Sequence, residues 1–483
     1  MNLRSTLYLL AFPIGLMGVV QICFSLLAHL LFRDGLEAEF FFPAICMIVT
    51  STALLFCARD FDASKITYRE SLLYAALTWV VMGLAGAIPI VEITGVSAVD
   101  GVFESISALT TTGATILTGL DAMPKSFLMY RQFLQWLGGL GVVIFVVAIL
   151  PMLNVGGMRM LRAETPGPVK DDKLSPRVTT TARHLWSVYL IITALCCACY
   201  YFSGMSLYDA VAHSFSTVST GGFSTHDASM GYFERPEILL VADVFMLLGA
   251  ISFALHYRIW SHSSPMQYFR DEETRAFLLL TLALSALVAL LLAAGNVYDA
   301  PLETLNASLF HLISFITSTG YGAGGFTEWP LVVVTLLLVA GYLGGCAGST
   351  AGGNKIIRSI IMVKMIRHEM RRLLHPHGVF TVKYNRQSID VTVLSATMAF
   401  LTLGMLISAA VTLMMMATGL SFLAAFSATA ACLNVLGPAF GELGNNFQPV
   451  SDTGTVILSV AMILGRLEYF TVLTLLLPMY WRG

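Results

Sequence analysis

No Asp, Glu, Lys or Arg occurs anywhere between residues 391 and 441. A tract this apolar does not belong in water, and it is too long for one helix across a hydrocarbon core of roughly 30 Å, which takes about 20 residues. A Thr-Gly-Leu-Ser break at 418 to 421 divides it. The stretch reads as one full spanning helix followed by a short half-helix that enters the membrane and turns back. Such a turn is permitted only where it is buried in protein or lines a watery path.

The rest of the chain supports that solvent. Of its 483 residues 57% are hydrophobic and 12% are charged, about half the charged fraction of soluble domains. Tracts near 7-32, 40-58, 70-93, 126-153, 184-204, 237-260, 276-295, 330-362, 389-419 and 453-479 each have spanning length, which predicts about ten spanning helices. The first is too long for a signal-peptide apolar region and has no small-residue cleavage site. The net charge of -2 says nothing about nucleic acid, and no basic tail suggests such a partner. All eight cysteines lie in apolar tracts and none in an obviously polar loop, which argues against a disulfide or zinc framework.

The half-helix signature recurs. Segments 100-115, 209-224, 304-322 and 423-441 each run from a short amphiphilic helix into a turn of small residues. Phe103, Ala212 and Phe310 lie ten positions before Gly113, Gly222 and Gly320, whereas Phe426 lies eleven before Gly437, so the fourth copy is expected to be shifted by one residue. A proline follows each turn, at 124, 236, 330 and 449, and opens the next helix, where its missing N–H costs nothing. Regular recurrence marks repeated units. The predicted fold is an all-α polytopic membrane protein with four parallel repeats of helix, pore half-helix, filter turn and helix around one pore. An N-terminal helix pair, 1-66, precedes repeats at 67-157, 178-265, 270-372 and 385-483.

Basic residues orient the chain. Arg159, Arg162, Lys170, Lys173, Arg177 and Arg183 separate the first two units, Arg258, Arg270 and Arg275 the next, and Lys364, Arg367, Arg371, Arg372, Lys383 and Arg386 the last two. By the positive-inside rule these segments are cytoplasmic. The turns then enter from the outer face, where Asp121, Asp227, Glu234, Glu328 and Glu442 form an acidic mouth that concentrates cations. Glycine in each turn swings carbonyl oxygens toward the axis. Half-helix C-termini, rings of carbonyls and the hydroxyls of Thr111, Thr112, Thr220, Ser318 and Thr319 can together replace the water shell of a monovalent cation.

Ser318-Thr319-Gly320-Tyr321-Gly322 looks like the T-V-G-Y-G signature of potassium channels. Four unequal pore loops with one filter glycine each resemble the Trk/Ktr/HKT superfamily of potassium transporters. The motifs TTTGAT, STGGFST, TSTGYG and NVLGPAFG are similar to those of its bacterial TrkH branch over nearly the whole chain. The resemblance implies a filter of Thr110, Thr111, Thr112, Gly113, Ser219, Thr220, Gly221, Gly222, Thr317, Ser318, Thr319, Gly320, Asn434, Val435, Leu436 and Gly437. Potassium would be coordinated at Thr111, Thr112, Thr220, Gly221, Ser318, Thr319, Val435 and Leu436. Loop 4, with Asn434-Val435-Leu436, lacks hydroxyls, so coordination there must rest on main-chain carbonyls.

Six glycines within 341 to 355 predict a break in the second helix of the third unit. The stretch resembles the family's intramembrane gating loop, here 344-353 with Gly345, Cys346, Ala347, Gly348, Ser349, Thr350, Ala351, Gly352 and Gly353. Close packing through small residues is the alternative. A phosphate loop fails, because Lys355 is not adjacent to Gly353 and no Ser or Thr follows it. By resemblance Arg466 sits below the filter as an electrostatic barrier in the gate; a helix-end ion pair that merely stabilises packing is the alternative. Asp243 and Glu468 are the candidates for proton handling. His213 and His311, nine positions before their glycines and matching Glu104, read as polar anchors of the half-helices.

No nucleophile-base pair or HExxH motif is present, so the chain is not expected to be an enzyme. The expected function is gated, channel-like potassium uptake. The alternative is a symporter coupling potassium to sodium or protons, although such folds usually show inverted repeats. No cofactor is expected in this chain beyond the transported potassium ion. The basic segments at 156-183 and 364-386 suit membrane lipids. The resemblance further implies a homodimer in the bacterial inner membrane, both termini cytoplasmic, with a nucleotide-binding regulatory subunit of the TrkA type.

Overall fold

A computed structural model of the protein describes residues 3–58, 67–144 and 178–482, apart from 234, 263, 379 and 386. Arg159, Arg162, Lys170, Lys173, Arg177, Glu234, Arg386, the tail of the 126-153 tract and the unit ends at 66 and 157 lie outside the described residues. Apart from turns and loops, the described residues are helical but for one short hairpin, Lys383–Tyr384 with Gln387–Ser388.

Leu3–Leu27, continued by a π-helical turn, pairs with Glu37–Cys57 as the N-terminal helix pair. Gln21 Nε2 donates to Ala85 O at 3.0 Å, tying the pair to the first repeat. Four times the chain then runs through a first helix, a half-helix and a second helix. The half-helices are Ala98–Leu109, Leu207–Val218, Pro301–Ile316 and Phe422–Leu433. Their starts are locally encoded: Ser97, Ser206 and Ser421 accept from the backbone N–H three residues on, and Pro301 takes the first helical position of the other. A cap of this kind contributes about 0.5–2 kcal/mol.

Burial places the half-helices at the centre. Phe103, Ala212, Phe310 and Ala428 are fully or almost fully buried, while the long first helices keep an exposed apolar side suited to lipid, as at Leu279, Leu282 and Met405. Among the described residues six helices are individually long and apolar enough to cross a membrane.

Three of the four second helices depart from straight spans among the described residues. The 237-260 tract forms Pro236–Ala250 and Phe253–Ser261, bent by 94°. The freed backbone groups find partners in the glycine-rich loop of the third repeat: Cys346 N donates to Ala250 O at 2.8 Å, and Phe253 N donates to Gly348 O at 3.0 Å. The 453-479 tract is Asp452–Leu467 and Tyr469–Leu476, bent by 115°. Its corner is Glu468, at φ +64°, which pairs with Arg358 at 2.6 Å. The 330-362 tract is broken outright, into Leu331–Leu343 and Ile356–Leu374, where the glycines predict it.

The expected one-residue shift in the fourth copy is absent. Leu109, Val218, Ile316 and Leu433 each end a half-helix four positions before its glycine. Position ten before Gly437 is Ser427, not Phe426, and its hydroxyl accepts from Phe440 N at 2.9 Å. Phe426 instead faces Phe422 and Tyr342.

Candidate selectivity filter and gate

All four turns are built the same way. Thr112 N, Gly221 N, Thr319 N and Leu436 N each donate to the carbonyl five residues back, on Ser107, Ser216, Ser314 and Ala431, all at 2.8 Å. This is the long hydrogen bond of a Schellman helix ending, which asks for a left-handed residue one position earlier. Here that residue is never glycine: Thr111, Thr220, Ser318 and Val435 have φ of 60°, 54°, 53° and 56°. Left-handed backbone costs a side-chain-bearing residue about 1–2 kcal/mol, most severely when β-branched. Two positions later comes the glycine, also left-handed, with φ of 80°, 77°, 81° and 97° at Gly113, Gly222, Gly320 and Gly437.

The glycines close a ring. A Cβ on Gly113 would meet Gly221 O at 2.1 Å, one on Gly222 would meet Thr319 O at 2.0 Å, one on Gly320 would meet Leu436 O at 2.0 Å, and one on Gly437 would meet Thr112 O at 2.7 Å. Loop 1 thus abuts loop 2, loop 2 abuts loop 3, loop 3 abuts loop 4, and loop 4 returns to loop 1. Each contact sets a glycine against the carbonyl of the residue preceding the neighbour's glycine. The four glycines also line one cavity of about 430 Å³, together with Arg131 and Asp227. Beside it Asp121 Oδ1 meets His226 Nδ1 at 2.6 Å, and Asp227 Oδ1 accepts from Gly119 N at 3.0 Å, so two of the acidic residues brace loop 1 against loop 2. His226 beside it holds the Asp121 carboxyl below the usual carboxylate range. Glu328 and Glu442 do not line this cavity.

The predicted hydroxyl ligands divide. Thr110 pairs with Thr112, and Thr317 with Thr319, each at 2.8 Å within its own loop. Ser318 Oγ accepts from Gly352 N at 2.5 Å, and Thr220 Oγ1 donates to Ser219 O at 2.7 Å. Thr111 Oγ1 is buried without a partner among the described residues. In loop 4 Asn434 Nδ2 donates to Ala430 O at 2.9 Å while its Oδ1 is buried without a partner among the described residues, and Val435 and Leu436 offer only backbone oxygens. Tyr321 is wholly buried behind the ring, its hydroxyl within 3.1 Å of Thr217 Oγ1 and 3.3 Å of His213 O in the second half-helix.

Against one end of the ring lies the 344-355 loop. Besides the bond to Ser318, Gly353 N donates to Asn434 O at 3.1 Å, and Thr350 Oγ1 donates to Val218 O at 3.1 Å. The loop therefore touches loops 3 and 4 and the end of the second half-helix. Arg466, 8% exposed, donates from Nη1 to Thr350 O at 2.9 Å and reaches from Nη2 toward Gly138 O at 3.5 Å. Its partners are carbonyls, and it is Glu468 that pairs with Arg358.

Arg131, Gln135, Gly138 and Gly465 are supports that the sequence reading does not name. Arg131, on Lys125–Ile144, is fully buried, donates from Nε to Glu104 Oε1 at 2.9 Å and from Nη2 to the same oxygen, and lies 4.2 Å over the Phe223 ring. Glu104 also accepts from Ile116 N at 3.2 Å, pinning the strand that leaves the turn. His213 and His311 do the same work, through Ser224 Oγ at 2.9 Å and Ala323 N at 3.2 Å. Gln135 Nε2 donates to Gly221 O at 2.6 Å while its Oε1 accepts from Phe223 N at 3.2 Å. Gly138 and Gly465 seat the second helices: a Cβ there would meet Leu109 O at 1.7 Å and Leu433 O at 2.1 Å, the last residues of two half-helices. A lone arginine in an apolar tract, at the repeat whose anchor is Glu rather than His, was the available signal for Arg131.

A family model described as "Cation transport protein", TrkH, matches residues 37–482. The chain belongs to the TrkH family. Its TrkH relatives include the "Trk system potassium uptake protein TrkH" of Vibrio parahaemolyticus, 42% identical with all of both chains covered. The protein of the same name in Escherichia coli K12 is 40% identical over 94% of this chain and 95% of that one. The crystal structure of the potassium transporter TrkH from Vibrio parahaemolyticus superposes with a TM-score of 0.92, at 39% identity and full coverage of both chains. As a TrkH-family member the chain is a multi-pass membrane transport protein of the architecture its repeats predict.

Proposed function

We propose that this chain takes potassium up across the bacterial inner membrane through a single channel-like pore, selected by the four-loop ring and closed by the 344-355 loop. The observation that carries the reading is the cyclic contact of Gly113, Gly222, Gly320 and Gly437 with the carbonyls of their neighbours. Inward-turned carbonyls at half-helix C-termini offer a fixed, partly negative cage to a dehydrated cation, and the relatives' printed names speak of potassium uptake. In this reading the cavity beside Asp227 is the external vestibule, both termini are cytoplasmic, and a homodimer binds a nucleotide-binding subunit of the TrkA type. Potassium is cargo, and the chain itself performs no covalent chemistry.

Rubidium-86 influx into proteoliposomes, with potassium, sodium and lithium competing and no other gradient imposed, tests it. Potassium-selective uptake down the tracer gradient alone is expected. Uptake appearing only with an imposed sodium or proton gradient would replace the channel by a symporter, centred on Asp243, whose Oδ1 is buried without a partner among the described residues.

Two variants address the gate. Shortening the loop within Gly345 to Gly353 is expected to raise basal flux, and lowered flux in a folded protein would remove the gating role. Arg466→Ala deletes the cation and frees Thr350 O, so conductance is expected to rise by about tenfold, the effect of roughly 1.4 kcal/mol of barrier. An unaltered single-channel conductance would leave Arg466 as a packing residue.

A further inference from the structure

We infer that Glu273 is the positioning residue that holds the intramembrane loop shut, and that the 383–388 hairpin controls it through Asp271 and Glu272. The inference rests on the gate reading above. Glu273 lies in the first turn of the helix Glu272–Ala294, on a different element from the loop, and is 5% exposed. One of its carboxylate oxygens, Oε1, accepts from Ala347 N at 2.8 Å and from Ile357 N at 3.2 Å. Ala347 is the fourth residue of the 344-355 loop, and Ile357 is the second residue of the helix that follows it. A single oxygen therefore staples the loop's entry to the start of the helix Ile356–Leu374, and opening the loop must break at least one bond to a buried carboxylate, the costly kind to leave unmade.

The two residues before Glu273 face the hairpin. Asn385, at its turn, accepts at Oδ1 from Glu272 N at 3.1 Å, donates from its own N to Glu272 Oε2 at 3.0 Å, and donates from Nδ2 to Asp271 Oδ1 at 3.3 Å. Lys364 joins the same cluster by pairing with Glu272 and donating to Lys383 O at 2.7 Å. Asp271 also caps the helix, accepting from Thr274 N at 2.9 Å. A shift of the hairpin is thereby a shift of this helix end, and Glu273 moves with it. The hairpin is the place where a cytoplasmic partner gains leverage on the loop without touching it.

Cys346 is a native reporter, since it is a free thiol within the loop and wholly buried. The test uses the full-length protein in proteoliposomes, comparing Glu273→Ala, Glu273→Gln and Asn385→Ala with the unsubstituted chain. Alkylation of Cys346, read by peptide mass, is followed alongside rubidium-86 flux. Glu273→Ala is expected to raise both by about tenfold. Glu273→Gln, which keeps a carbonyl acceptor, is expected to restore most of the closure, and Asn385→Ala to move both in the same direction by less. Unchanged labelling and flux in folded Glu273→Ala would overturn the role of Glu273. Increased labelling without increased flux would overturn it from the other side, by showing that the loop is not the gate. An unaltered Asn385→Ala beside a leaky Glu273→Ala would overturn the control by the hairpin.

Discussion

Gly113→Ser is expected to lower discrimination of potassium over sodium by about tenfold or more, the consequence of roughly 1–2 kcal/mol of strain placed on one ligand ring. Two separate effects act at this position. The backbone is left-handed, with φ +80°, where a side chain is disfavoured, and the new Cβ would sit 2.1 Å from Gly221 O. The carbonyl cannot yield freely, because Gln135 Nε2 holds it at 2.6 Å and Gly221 N is bound to Ser216 O. The ring must therefore open between loops 1 and 2 while loops 3 and 4 keep their contact. An opened ring no longer compensates a small dehydrated cation differently from a large one. Rubidium-86 influx with sodium and potassium as competitors measures the effect, and unchanged competition would take Gly113 out of the filter.

Arg131→Met is expected to destabilise the protein by about 3–5 kcal/mol, the cost of leaving a buried carboxylate without its cation. Glu104 is wholly buried, so water does not replace the lost guanidinium. The carboxylate's hold on Ile116 N then fails, and with it the strand leaving the first turn. The repeats themselves suggest the rescue. His213 and His311 occupy the position of Glu104 and anchor their own exit strands without an arginine. The double variant Arg131→Met with Glu104→His is accordingly expected to recover most of the lost stability and the potassium selectivity. Thermal unfolding in detergent, followed by flux on the surviving variants, decides it. A neutral Arg131→Met would show that the pair does not support loop 1.

Both predictions turn on features of unequal visibility in the chain. Gly113 is legible because a glycine in a turn of small residues, after a half-helix and before a proline, recurs in all four units. The break at 341 to 355 is legible for a similar reason, since its glycines oppose a continuous helix whatever surrounds them. Thr111 and Val435 are not legible in the same way. Nothing local recommends left-handed backbone for a β-branched residue, and it persists only because the half-helix ending and the neighbouring loops determine it from several sides. The bend after Ala250 belongs with them, since its carbonyl is satisfied by Cys346, far away in sequence.

What the sequence determined by itself is the solvent, the repeated unit and the places where helices must stop. Those follow from hydropathy and from the backbone preferences of glycine and proline, which act over a few residues. The tertiary structure decided that the four turns meet in a ring and which carbonyl each glycine faces. It also set Arg466 against Thr350 and Glu273 between the intramembrane loop and the helix that follows it. In each case a buried polar group must be matched by a partner from a distant segment, and that match exists only once the repeats have assembled around their axis.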